Sequence, residues 1–157
     1  MDLGDLISPA AVWADVAAAS RRDALRAAAR RMARRLWTSA RAIETALLDR
    51  EALGSTGFGG GVAIPHGRLP GLERPVAGVL RLARPVDFDS FDGQPVWLVV
   101  VLLSPEREAG QHLKALARLS RAVRAPGVRE RIRGAADAAA IHAILAGRPE
   151  DPARQVA

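Results

Sequence analysis

Cysteine is absent from the 157 residues, which removes disulfides, thiolate nucleophiles, iron–sulfur clusters and cysteine zinc sites, and with them any support for an oxidising compartment. Long apolar runs are absent too. The longest, Val96 to Leu103, has eight residues and ends at Ser104-Pro105, well short of the roughly 20 that a membrane helix needs. The start, Met1-Asp2-Leu3-Gly4-Asp5, lacks the basic opening and apolar centre of a secretory signal. A cytoplasmic protein with no membrane insertion is therefore expected. What is present, 49% hydrophobic and 25% charged residues, fits one domain that buries its own core.

The net charge of +6 has one source. Seven arginines between Ser20 and Trp37, opposed only by Asp23, carry the whole excess, and the rest of the chain balances. Lysine occurs once, at Lys114, against 22 arginines, a replacement so complete that it points to coding bias rather than selection for phosphate-binding forks. A basic docking face for nucleic acid or an acidic partner competes with a solvated helix surface, and the solvated surface is the simpler reading. Nucleic acid is not an expected partner.

Apolar periodicity lays out the secondary structure. Leu25, Ala28, Ala29, Met32 and Leu36 recur at helical spacing while Arg26, Arg30 and Arg34 form a separate stripe, so Ser20 to Trp37 is an amphipathic helix capped by Ser20. A second helix is expected from Ser39 to Arg50, capped by Ser39 or Thr38, with Ile43, Ala46 and Leu47 inward. The glycine-dense stretch Gly54 to Gly61 ends that pattern. Val62 to Ile64 is a short strand that should stop at Pro65-His66-Gly67, and Val76 to Leu82 is another. Val96 to Leu103, continuously apolar, suits a central strand covered on both faces.

Pro105 suits the first turn of a third helix marked by Leu113, Leu116, Leu119 or Ser120, and Val123, which stops near Ala125-Pro126-Gly127. A last amphipathic segment runs from Ala135 to Leu145 and ends at Gly147. The expected architecture is α/β: a single domain over residues 1–147 with a central mixed sheet covered by helices on both faces, followed by a flexible tail at 148–157.

Nucleotide-binding motifs are missing, since Gly54 to Gly61 holds no phosphate-loop lysine and precedes a strand. Its glycines suit either backbone amides converging on an anion or a tight surface loop. Among three histidines, His66 lies between Pro65 and Gly67, which fix the chain before it and clear space after it. His112 falls at the border of the buried stripe near a helix N-terminus, where imidazolium is disfavoured and a neutral ring can donate to a phosphate. His142 has no such context and is expected to be structural. Neither Ser55 nor Ser104 sits in a nucleophile elbow, a histidine metal site lacks a third ligand, and Asp87, Asp89 and Asp92 lack the EF-hand order and form a turn. No metal and no cofactor are expected.

Three ordered blocks carry a further signal. Leu47-Leu-Asp-Arg-Glu-Ala-Leu-Gly-Ser-Thr-Gly57, Gly61-Val-Ala-Ile-Pro-His-Gly-Arg68 and Ala109-Gly-Gln-His-Leu-Lys-Ala-Leu-Ala117, with Pro85 to Asp92 between them, resemble the enzyme IIA domains of the fructose/mannitol type in the bacterial phosphotransferase system. Within that family the pattern is most similar to the stand-alone nitrogen-regulatory type, and it extends from about Leu3 to about Ala146. The resemblance implies that His66 accepts a phosphoryl group from a phosphorylated HPr-like carrier. It implies that His112 and Arg50 contact that group, with Ser55, Thr56 and the amides of Gly57, Gly59 and Gly61 as further donors. Trp97, where relatives often carry a small acidic or polar residue, and Gly60, where many carry asparagine, depart from the family pattern.

Two functions follow from the resemblance. One is a regulatory phosphoryl carrier whose charge state is read by targets such as transporters or sensor kinases. The other is a sugar-transport enzyme IIA that passes the group to an enzyme IIB. This chain carries no fused IIB or membrane portion, which favours regulation.

Overall fold

The computed structural model describes residues 1–107 and 109–147; the expected tail at 148–157 lies outside the described residues. The chain runs α1 (Leu3–Leu6), β1 (Ile7–Val16), α2 (Arg21–Leu36), α3 (Ala40–Ala52), β2 (Gly57–Gly59), β3 (Val62–Ala63), β4 (His66–Leu69), β5 (Val76–Val86), β6 (Val96–Pro105), α4 (Ala109–Arg124), α5 (Val128–Gly134) and α6 (Ala138–Leu145). Every residue of β6 is buried, as an uninterrupted apolar strand must be when both faces are covered. Each fully buried Val or Leu there contributes on the order of 1.5–3 kcal/mol.

The sheet is mixed and ordered β1-β5-β6-β3-β2, with β4 also on β6. β5 is antiparallel to β6, β3 and β4 are parallel to it, and β1 is parallel to β5. Two cores result. Leu25, Met32, Ile43 and Leu47 from α2 and α3 pack on one face, and Leu119, Val123, Ile132 and Ile141 from α4, α5 and α6 pack on the other. The expected α/β architecture, a mixed sheet between helical layers, is what the chain adopts.

The two expected caps are in place. Ser20 accepts from the Asp23 amide and Ser39 from the Ala42 amide, each satisfying an orphan donor at a helix start. His142 is structural: it is buried and its Nε2 meets the Ile7 carbonyl at 3.0 Å. The Asp87 to Asp92 segment is a self-bonded connection, with Asp87 accepting from Asp89 N and Asp92 from Gly60 N and Gln94 N.

Several boundaries differ from expectation. Pairing does not stop at Pro65. Val62 lies opposite Leu98 and His66 opposite Leu102, so β3 and β4 share one register along β6 and are separated only where proline lacks an N–H. Gly57–Gly59 is a strand, antiparallel to β3, rather than loop. Pro105 closes β6 opposite Leu69 instead of opening a helix; a strand end tolerates the missing donor. The buried face of α4 is His112, Ala115, Leu119 and Val123, so the expected Leu119 and Val123 are inward, Leu116 packs at the margin of the core, and Leu113, expected inward, is 64% exposed. The last helix begins after its Asp137 cap, because Ala135 is the extended C-cap of α5, an arginine-rich turn anchored only by Val128 and Ile132. β1 had no periodic signal; its Pro9 is accommodated because β1 is an edge strand.

Trp97 enters the core because Gly61 makes room for it. A Cβ at Gly61 would lie 2.2 Å from the indole Nε1, and Gly61 has φ +82°. The Trp97 amide also donates to the Gly61 carbonyl at 2.9 Å, so the contact is locked at backbone level. Gly61→Ala should therefore lower stability by about 2–4 kcal/mol, combining a left-handed backbone penalty with overpacking. Urea midpoints measure this, and a loss below ~1 kcal/mol would show that the indole can simply step aside.

Candidate functional site

α3 and β4 meet without intervening side chains. A Cβ at Gly67 would sit 3.1 Å from the Ala46 Cβ, so a side chain there would push the helix away from the strand by a few tenths of an ångström. One turn beyond Ala46 on the same helix face stands Arg50, which this approach brings over His66, the first residue of β4. From the other side, α4 brings His112 to within 5.3 Å of His66 between ring centroids, the rings tilted by 51°. The cleft so formed has a volume of about 470 Å³ and is lined by Asp49, Arg50, Leu53, His66, Arg68 and His112, among others.

The hydrogen bonds assign the nitrogens of His66. Its Nδ1 lies 2.8 Å from the Ile64 carbonyl, which can only accept, so Nδ1 bears the hydrogen. The Nε2 lone pair is then free, and Arg50 Nε donates to it at 3.1 Å. Arg50 Nη1 donates to the Gly54 carbonyl at 2.8 Å, tying the guanidinium to the loop after α3. His112 Nδ1 meets the hydroxyl of Ser104 at 2.7 Å.

Both rings are held below the ordinary histidine pKa. Burial is the main cause for His66, with the Arg50 charge adding to it, while the Ile64 carbonyl and Glu51 pull the other way. Burial also dominates for His112, followed by the charges of His66 and Arg68. At neutral pH the cleft thus presents neutral imidazoles ringed by arginines, a nucleophile beside donors suited to an anion.

Of the residues singled out in the sequence, His66, His112 and Arg50 come together here. The five from the glycine stretch do not line the cleft. Ser55 donates its hydroxyl to the Phe88 carbonyl and accepts from the Gly57 amide. Thr56 gives its amide and hydroxyl to buried Glu51, at 2.9 and 2.6 Å. Gly57 and Gly59 pack against Ser90 and against Phe91 and Asp92, as Gly61 does against Trp97.

Arg68 was overlooked, although an extended run puts it on the face of His66 two residues later. Ser104 gave no local signal; only the pairing of β4 with β6 reveals it. A cleft of about 570 Å³ beside Arg30, Arg34 and Trp37 is larger but has no nucleophile. Four arginines of α2 have partners within the chain: Arg21 with Phe88 O and Glu51, Arg26 with Glu44, Arg31 with Ala27 O, Arg35 with Ser8.

A mixed sheet between two helical layers carries this two-histidine cleft. Residues 5–147 match the family described as "Phosphoenolpyruvate-dependent sugar phosphotransferase system, EIIA 2", and the chain belongs to that family. It is 44% identical to a "Nitrogen regulatory protein" of Bradyrhizobium diazoefficiens over 95% of this chain and 97% of the relative. It is 41% identical to a protein of the same description from Pseudomonas aeruginosa over 91% and 94%. The crystal structure of nitrogen regulatory protein IIA-Ntr from Neisseria meningitidis superposes with a TM-score of 0.85 at 34% identity, covering 91% of this chain and 98% of that one. An Escherichia coli enzyme IIA of the mannitol system, solved in complex with phosphorylated enzyme IIB, shares the fold with a TM-score of 0.74 at 22% identity, over 91% and 100%. The chain is thus a phosphoryl-transfer component of this system. No helix among the described residues is long and apolar enough to cross a membrane.

The depressed histidines link the site to stability. Because the folded state holds protons on His66 and His112 less tightly than the unfolded chain, stability is full above roughly pH 6.5 and falls as pH drops through that value toward the lower folded pKa. The urea midpoint should be lower at pH 5.5 than at pH 7.5, and a double His66→Asn, His112→Asn variant should lose part of that slope. An unchanged slope in the variant would mean that other groups set it.

Proposed function

We propose that this protein is a regulatory phosphoryl carrier of the nitrogen-related phosphotransferase system, taking the group on His66 Nε2 from a phosphorylated HPr-like protein. The observation that carries this is the nitrogen assignment: Nδ1–H is engaged by the Ile64 carbonyl, and the remaining lone pair faces an open cleft beside Arg50 and His112. The regulatory part rests on the nitrogen regulatory relatives.

In the transfer, the Nε2 lone pair of neutral His66 attacks phosphorus as the donor's N–P bond breaks, and that bonding pair leaves on the donor imidazole. No proton need move on His66, because the positive character that develops on its ring is stabilised through Nδ1–H by the Ile64 carbonyl. Such a loose, in-line transfer asks the protein for position and charge rather than covalent help. Arg50 first gives up its bond to Nε2, then offers that N–H and its other free donors to the phosphoryl oxygens while Nη1 stays on the Gly54 carbonyl. His112 and Arg68 face the same anion from the opposite side of the cleft.

The two charge states then present different surfaces to targets such as transporters or sensor kinases, in the cytoplasm where the carrier acts. Onward transfer to an enzyme IIB is the competing outcome, and a purified IIB acceptor added to the phosphorylated protein distinguishes the two.

Intact mass after incubation with phosphoenolpyruvate, enzyme I and an HPr-like carrier should show one acid-labile phosphoryl group on wild type and none on His66→Ala. Label on the variant would sink the site assignment. Arg50→Ala and His112→Ala should each slow transfer by about 10²-fold or more, the usual cost of removing one donor to a developing anion. Rates within twofold of wild type would remove that residue from the mechanism.

A further inference from the structure

Ser104 reaches the cleft's machinery from beneath. It lies fully buried on β6, opposite Arg68 in the β4 ladder and two residues beyond Leu102, which faces His66. Leu102 belongs to the core under α4, so the alternation of β6 turns Ser104 toward that helix as well, where its Oγ meets His112 Nδ1.

Two arrangements of that bond are possible, and they differ in cost. If Nδ1–H donated to the serine, the serine's own hydrogen would be left buried without an acceptor among the described residues, where the hydroxyl bonds His112. If the serine donates to the Nδ1 lone pair, both groups are satisfied, and only a spare oxygen lone pair goes unused. An unmade buried donor is the costlier defect. The second arrangement also places the imidazole hydrogen on Nε2, the nitrogen that Ser104 leaves free.

We propose that the Ser104 hydroxyl fixes the Nε2–H tautomer of His112 and so makes it a hydrogen-bond donor to the phosphoryl group on His66. Ser104 is thus a positioning residue, acting through His112 without touching the transferred group. The inference rests on the carrier reading for its consequence, but the tautomer is a property of the unphosphorylated protein. His66 has the complementary arrangement: its Nδ1–H is pinned by a carbonyl, which bares Nε2 as nucleophile. Two histidines with their rings 5.3 Å apart are thereby given opposite tautomers and opposite roles by one backbone and one side-chain partner.

A donated hydrogen bond to Nδ1 also favours neutral His112 over its imidazolium. The other charged and titratable groups around it are His66 and Arg68 from β4, with Arg50 and Asp49 from the end of α3 across the cleft. Removing the serine hydroxyl should let His112 protonate at higher pH and withdraw the free Nε2–H donor from its set position.

The test begins with nitrogen-15 imidazole spectra of the wild-type protein at pH 8. The expected signature is a protonated Nε2 and an unprotonated, hydrogen-bonded Nδ1 on His112, with the reverse tautomer on His66. A protonated His112 Nδ1 would overturn the proposal outright, with no variant needed. Ser104→Ala, nearly isosteric, should then slow phosphoryl uptake about 10–100-fold, as loss of a supporting partner does for other functional histidines. It should also move the acid limb of the rate profile to higher pH, and Ser104→Thr should restore both. Unchanged rate and limb in Ser104→Ala would likewise overturn it. Should wild type take up no phosphoryl group at all, the carrier reading fails, while the spectra still decide the tautomer.

Discussion

The parallel pairing of β4 with β6 is the constraint on which the site depends. It sets His66 opposite Leu102 and Arg68 opposite Ser104 and exposes the outer edge of β4. The partners of His66 then arrive from helices packed on opposite faces of the sheet. Arg50 comes down on one side because Gly67 lets α3 approach, and His112 rises on the other because α4 packs through Ala115, Leu119 and Val123. Apolar burial does the positioning, and the polar groups inherit their geometry from it. The wholly buried β6 is the rigid reference against which both layers are measured.

Where the structure could be read directly from the sequence, the signal was local. His66 stood out because proline and glycine flank it, and the helices α2 and α3 were legible because serine caps and apolar periodicity agree. The central strand announced itself through eight apolar residues in a row. The signals that failed were those in which residue type serves packing instead of chemistry. The glycine stretch was read as either an anion cradle or a tight surface loop. Its small residues instead admit Trp97, Ser90 and the Phe91–Asp92 turn, and its hydroxyls are committed to Phe88 and Glu51.

Long-range partners were out of reach for a different reason. Nothing near Ser104 in sequence distinguishes it from an ordinary strand-end serine, and its meaning comes from a register 36 positions removed from Arg68. Of the stripe expected on α4, only Leu113 was misplaced, because it looks like core; the face that buries Ala115, Leu119 and Val123 turns His112 inward and leaves Leu113 exposed. The exposed Leu53 lines the opening beside the two histidines, an apolar rim on a charged cleft.

The lock between Gly61 and Trp97 reaches beyond the stability of this one chain. Position 61 can acquire a side chain only in a background where position 97 has already become smaller, whereas the reverse order passes through a clashing intermediate. The two sites are epistatic, and the path by which the indole came or could be lost has a direction: glycine first on the way in, tryptophan first on the way out.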